Sequence, residues 1–291
     1  MLVGEFGNSA QEPCYDERVM KDEFNAADNY VVRGKPDPKL EKQFKKLIGT
    51  EGLLEGRYQE FFEERPEFLM PPFLLNHQMH FDAIVSQFRL NTDITADFCY
   101  LTKSTASWWL VLVEIERPDI PLFRTDKRHL IQTANFTQRL AQIQEWKDVV
   151  SRGEAHIIHQ LDAIRKPLST NAVHFKYVLV VGRDPVGREQ EGWRRIDQIN
   201  GSDLRVVTFD SLLRYYHDGR SRPYNILALS KGKVRFKKLH IPPHTMMQYV
   251  FPSDLILTAD DRTKLKNWGF SLAFFGDDEI GVKRRRERRR K

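Results

Sequence analysis

TADFCYLTKSTASWWLVLVEIE, residues 95–116, decides the fold. Two strand-like runs, TADFCYL (95–101) and WWLVLVEIE (108–116), are joined by the short polar stretch Lys103–Ala106, and together they predict a β-hairpin. If Thr102 pairs with Ser107, Asp97 lies opposite Leu112 and diagonal to Glu114 on one face. A slip of two residues makes Asp97 and Glu114 direct neighbours. Strand side chains alternate, so Glu114 and Glu116 share a face with Leu110 and Leu112, and three carboxylates converge at one end of the hairpin. Crowding of that kind is costly without a cation. Hard divalent ions such as Mg²⁺ or Mn²⁺ favour carboxylate and carbonyl oxygens and suit phosphodiester hydrolysis. The other reading is that Glu114 and Glu116 mark where a buried strand emerges into solvent, beside Arg117 or Lys103.

Outward from the hairpin, a helical pattern runs over 51–64 through Leu54, Tyr58, Phe61 and Phe62 until Pro66 closes it; it carries Glu55. AIVSQFRL (83–90) reads as a further strand. The stretch 127–150 lacks Pro and Gly and spaces Leu130, Ala134, Leu140, Ile143 and Val150 helically, which predicts one long helix ended by Gly153. FKYVLVV (175–181) and RVVTF (205–209) read as strands, with a helix after Glu189 and another capped by Asp210 and running to Tyr216. This alternation predicts an α/β fold with a mixed central β-sheet flanked by helices. Residues 224–239 form a further expected hairpin turning at Gly232, with Lys231, Lys233, Arg235 and Lys237 on one face as candidate phosphate contacts.

Four divisions follow: a loosely ordered arm over 1–50 with a helix near Leu40, a main domain over 51–218, a basic hairpin and extension over 219–282, and a disordered basic tail over 283–291. The chain of 291 residues, 41% hydrophobic, is long enough for one large α/β domain or two small ones. Its formal charge is +6. The tail KRRRERRRK, with eight bases and one acid, carries +7, so everything before it sums to −1. No run approaches the roughly 20 apolar residues of a membrane span, and no leader pattern begins the chain. Two cysteines, Cys14 and Cys99, offer no disulfide framework, which fits a soluble protein of the reducing cytoplasm.

Weaker motifs take ordinary readings. GRDPVGRE lacks the Lys-Ser/Thr of a phosphate loop and reads as a strand-to-helix turn. The pairs His77/His80 and His156/His159 have no third ligand, and Ser104, Ser107 and Ser211 have no GxSxG setting.

The order of helix with Glu, hairpin with Asp and then Glu-x-acid, and following helix resembles the PD-(D/E)XK nuclease superfamily. EGRYQEFFEERPEFL, TADFCYL, WWLVLVEIERP, QIQEW, YVLVVGR and LRVVTFDSLLRYY, taken in that order across about residues 51–217, look like the Shedu family of bacterial anti-phage nucleases. The resemblance implies a metal-dependent DNA endonuclease in a homo-oligomer, a tetramer. It makes Asp97 and Glu114 metal ligands, adds the carbonyl of Ile115, and brings Glu55 and Gln142 to the site from the flanking helices. Glu116 stands where the superfamily pattern has lysine, a position some members fill with glutamate. The alternative is a catalytically degenerate nucleic-acid-binding or assembly module of the same fold.

Overall fold

The computed structural model describes residues 36–273 and 275, apart from 167, 219 and 220. The arm as far as residue 35 and the basic tail at 283–291 lie outside the described residues.

Eight strands form one mixed sheet in the order β10-β9-β8-β1-β2-β3-β6-β7. Its centre is the meander β1 (Ala83–Arg89), β2 (Thr95–Lys103) and β3 (Ser107–Ile115), antiparallel throughout. β6 (Ala172–Val180) and β7 (Leu204–Val207) continue it in parallel with β3. On the other side β8 (Asn225–Ser230) lies parallel to β1 and turns into β9 (Lys233–Lys238), with the short β10 (Leu255–Ile256) at the edge. The basic hairpin is therefore part of the main sheet. Its two-residue turn places Lys231 and Gly232 at φ 50° and 72°, the left-handed geometry such hairpins need.

Strand alternation divides the core into two layers. Leu101, Leu110, Leu112 and Leu179 face one layer; Tyr100, Val111, Val113 and Val180 face the other. The second layer is capped by α1 (Pro38–Gly49), α2 (Glu55–Glu64) and α6 (Phe209–His217), through Phe44, Tyr58, Phe62, Phe209 and Tyr216. α1 confirms the helix expected near Leu40: Asp37 accepts a hydrogen bond from Lys39 N at 2.8 Å, Pro38 sets its first turn, and Phe44 stacks on Phe68 at 4.5 Å. The first layer is covered by α3 (Ala134–His159), which buries Phe136, Ile143, Trp146, Val150 and Ile157, and by α5 (Glu189–Ile199) through Ile196; the short α4 (Asp162–Arg165) follows α3. Joining β3 to a parallel β6 requires a long crossover, and α3 supplies it. The remaining helices, α7 (His244–Tyr249) and α8 (Ala259–Asn267), flank β10 in sequence. Among the described residues no helix is long and apolar enough to cross a membrane.

Three local expectations are corrected. Residues 127–133 are not helical: β4 (Phe123–Asp126) and β5 (His129–Gln132) form a small separate hairpin that turns at Lys127 with φ 55°. Thr133 then caps α3 by accepting from Phe136 N, and the helix runs past Gly153, which bends to φ −124° without ending it. Asp210 is not the cap of α6; Thr208 is, accepting from Ser211 N at 3.1 Å, while Asp210 takes a forked interaction from Arg183. The first helical pattern also starts later than residue 51, at Glu55. The GRDPVGRE stretch is the strand-to-helix turn expected. Gly182 within it has φ +65°, and a Cβ there would stand 2.5 Å from the Ile120 carbonyl, so only glycine fits.

Candidate functional site

β3 carries its carboxylates to the end of the sheet where β6 and β7 also finish, the carboxyl ends of three parallel strands. Full burial of Leu110 and Leu112 contributes about 1.5–3 kcal/mol each. That burial helps to hold the strand in register while Glu114 and Glu116 are drawn out of water.

The hairpin closes with Thr102 opposite Trp109 and Phe98 opposite Val113. Continued one step, this register sets Asp97 against Glu114, so the slipped alternative is the one adopted. Asp97 accepts at Oδ2 from the Ile115 N–H (2.8 Å) and at Oδ1 from Gln87 Nε2 (3.3 Å). Gln87 has φ 53°, and Val85 and Phe88, three apart, enter the same core layer. β1 thus changes phase at the residue that meets Asp97. A non-glycine held in that conformation costs on the order of 1 kcal/mol, strain of a kind that collects at functional sites.

Glu114 accepts from Gln142 Nε2 on α3 at 2.5 Å, and Glu116 meets Arg139 Nη1, also on α3, at 2.9 Å. Each keeps a second oxygen, Oε2, buried with no hydrogen-bond partner. Glu116 is 1% exposed. Glu116 does not emerge into solvent, Glu114 is only partly exposed, and Arg117 pairs instead with Asp119. Glu55, half in water at the first turn of α2, lies 3.4 Å from Arg139 Nη2. The guanidinium also reaches Gln142 Oε1 at 3.4 Å.

All three central carboxyls resist ionisation. Burial pushes Glu114 up to about 9, helped by the charges of Asp97 and Glu116. Burial and then Glu55 push Glu116 up to about 7 against the pull of Arg139. Asp97 rises to about 6 through burial, restrained by the Ile115 N–H.

The structure therefore gathers Asp97, Glu114, Glu116, Gln142 and Glu55 around the backbone of Ile115. Arg139 completes the group, and sequence reasoning missed it. Its one signal was position: it precedes Gln142 by three residues, one helical turn, on the same face.

Among the described residues, no three His, Cys, Asp or Glu form a ready metal cage. Mg²⁺ does not require one, since it commonly takes one or two carboxylates and retains waters. The donor set fits such an ion: it is all oxygen, it has two orphaned buried carboxylate oxygens, and its members repel one another until a cation arrives.

On the basic hairpin, Lys233, Arg235 and Lys237 alternate outward while Val234 and Phe236 are buried. Lys231 sits in the turn, not on the strand face. Lys237 is engaged: its Nζ is 2.5 Å from Glu63 Oε1 and 3.3 Å from Ser86 Oγ. The histidines take ordinary places. His80 is buried against Phe81 with its Nε2 2.7 Å from the Ile164 carbonyl, and His159 pairs with Asp162.

Fold and site define an α/β protein with an acidic, oxygen-lined centre at the carboxyl ends of its parallel strands. The family model described as Shedu protein SduA, C-terminal, matches residues 53–213, more than half of the chain, and the protein belongs to the Shedu family. A comparison with curated proteins found no match. Membership of this family implies a role in anti-phage defence.

Proposed function

We propose that the protein is a metal-dependent DNA endonuclease of PD-(D/E)XK type, acting in defence against phage. The observation that carries the reading is the pair of buried, unpartnered oxygens, Glu114 Oε2 and Glu116 Oε2, in a cluster whose charges oppose one another. A buried polar atom left unsatisfied costs about 1–3 kcal/mol, a cost that a ligand at the site would relieve.

Asp97 and Glu114, with the carbonyl of Ile115, would hold Mg²⁺ or Mn²⁺. Bound there, the ion would lower the pKa of a coordinated water and neutralise charge developing on the phosphate. Glu116, pushed up to about 7, accepts a proton from water near neutral pH, the condition a general base requires. Arg139 holds Glu116 in place and supplies positive charge where the superfamily pattern has lysine. Gln142 fixes the rotamer of Glu114, and Glu55 stands at the mouth of the site. Following the resemblance, the working form is a homo-oligomer, a tetramer, whose mass light scattering would measure.

Arg139 also favours a second reading. Its guanidinium already partly neutralises Glu116, and both oxygens of Asp97 accept hydrogen bonds. This suits a degenerate, binding-only module. Supercoiled plasmid incubated with Mg²⁺ or Mn²⁺ separates the two. Endonuclease action predicts nicked or linear product from the wild type and none from Asp97→Ala or Glu114→Ala; equal behaviour of all three proteins refutes it.

A further inference from the structure

Beside the acidic centre runs an open groove of ≈ 670 Å³ between the β1–β2 turn and the far half of α3. Arg89, Asn91, Val149, Arg152, His156 and Gln160 contribute to its walls, and no carboxylate does. That composition is unusual in a chain whose charge before the tail sums to −1.

Both walls lead to the carboxylates. Arg89 pairs with Thr95, two residues from Asp97, or about 7 Å along the strand. On α3, at 100° per residue, Val149 lies about 20° and Arg152 about 80° from Gln142 around the axis, before the helix kinks at Gly153. Gln142, bonded to Glu114, stands two turns before Val149 on that side of the helix. From Gln142 to Arg152 the helix rises about 15 Å, the axial length of four to five nucleotides.

The walls are also ordered. Asn91 Oδ1 accepts from Asp93 N (2.8 Å) and Ile94 N (2.7 Å), which folds the turn, and Gln160 Nε2 donates to the Arg89 carbonyl at 3.1 Å, tying turn to helix. Gly153 leaves the floor open, with nothing within 4 Å of the Cβ it lacks. Arg89, Arg152 and His156 are exposed.

We propose that this groove carries the phosphodiester backbone of duplex DNA to the acidic centre, with Arg89 and Arg152 as its principal phosphate contacts. The inference rests on reading that centre as a nuclease site. It differs from the expectation placed on the hairpin, whose Lys237 is occupied by Glu63. Two arginines on adjacent phosphates account for about 1.8 units of the slope of log K against log salt.

The test is duplex-DNA binding by the full chain in EDTA, followed by fluorescence anisotropy across a salt series, so that cleavage plays no part. Arg89→Gln/Arg152→Gln is expected to bind about tenfold more weakly at 100 mM salt, with a slope shallower by about 1.8 and an unchanged melting temperature. Should the double variant melt early, Arg152→Gln alone carries the test with a slope loss of about 0.9. Affinity and slope equal to wild type overturn the proposal. So does a Lys233→Gln/Arg235→Gln control that removes the whole salt dependence, or a wild type that binds no duplex. Groove-dependent binding by a wild type that cuts nothing in Mg²⁺ would leave the groove standing and remove the nuclease reading.

Discussion

Glu63 and Glu114 are two glutamates withdrawn from water by the same sheet, yet their surroundings differ. Glu63 Oε1 accepts from Ser86 Oγ (2.5 Å), Lys237 Nζ (2.5 Å) and Gln59 Nε2 (3.2 Å), which stitches α2 to β1 and β9. Glu114 has Gln142 on one oxygen and nothing on the other, with Asp97 and Glu116 as its neighbours. A buried carboxylate that a fold uses as a fastener is given donors and a cation. One kept short of partners and crowded by like charge is a place where a ligand is awaited. The comparison separates a structural acid from a functional one without reference to sequence motif.

The largest effect belongs to catalysis at the acidic centre. Glu116→Gln keeps the shape of the side chain but cannot accept a proton, so plasmid cleavage in Mg²⁺ is expected to fall by about 10²–10⁴. Activity within a factor of two of wild type would return Glu116 to a purely structural role. Next comes metal linkage: Mg²⁺ at about 100 times its dissociation constant stabilises the wild type by about 2.7 kcal/mol in a calorimetric or denaturant assay, and leaves Asp97→Asn/Glu114→Gln unmoved.

Glu63→Ala sharpens the contrast from the other side. Removing one member of a buried pair costs about 3–5 kcal/mol. Because the Lys237 side chain keeps 35% exposure and can be rehydrated, about 2 kcal/mol is expected here, with no change in metal affinity.

The smallest effect is that of Glu114→Gln on the metal-free protein. Below about pH 4, where Glu114, whose folded pKa is pushed up to about 9, is protonated both folded and unfolded, the amide should lie within about 0.5 kcal/mol of wild type. The difference grows with pH. A carboxyl with a raised folded pKa stabilises fully below the unfolded value, about 4, and loses that contribution as pH rises through the folded one. For Asp97, Glu116 and Glu114 that means a decline through about 6, 7 and 9. Melting temperatures between pH 5 and 9 should fall in the metal-free wild type, fall less in Glu114→Gln, and stay flatter with Mg²⁺ present.

Much of this was legible in the chain. The apolar run Trp108–Val113 could only be a strand, and strand alternation then committed Glu114 and Glu116 to one face. The register was open by two residues because the joining segment holds neither Gly nor Asn-Gly to fix a turn type. The β4–β5 hairpin was hidden for a similar reason: Lys127, not glycine, adopts its positive φ. That β8 lies beside β1 is a pairing across more than 130 residues, which local periodicity does not encode. Arg139 looked like any basic residue on an amphipathic helix until α3 was laid over the ends of β2 and β3. The fastening of Glu63 by Lys237 joins residues far apart in sequence, so the hairpin lysines read as one free face.

The central question is whether the partnerless oxygens form a cation site. Titration of Mn²⁺ into the metal-free protein at pH 7.5, followed by the loss of the free-ion electron paramagnetic resonance signal, measures it. Wild type and Glu63→Ala should bind the ion with equal affinity, and Asp97→Asn and Glu114→Gln should lose that site. Identical Mn²⁺ uptake by wild type, Asp97→Asn and Glu114→Gln would contradict it.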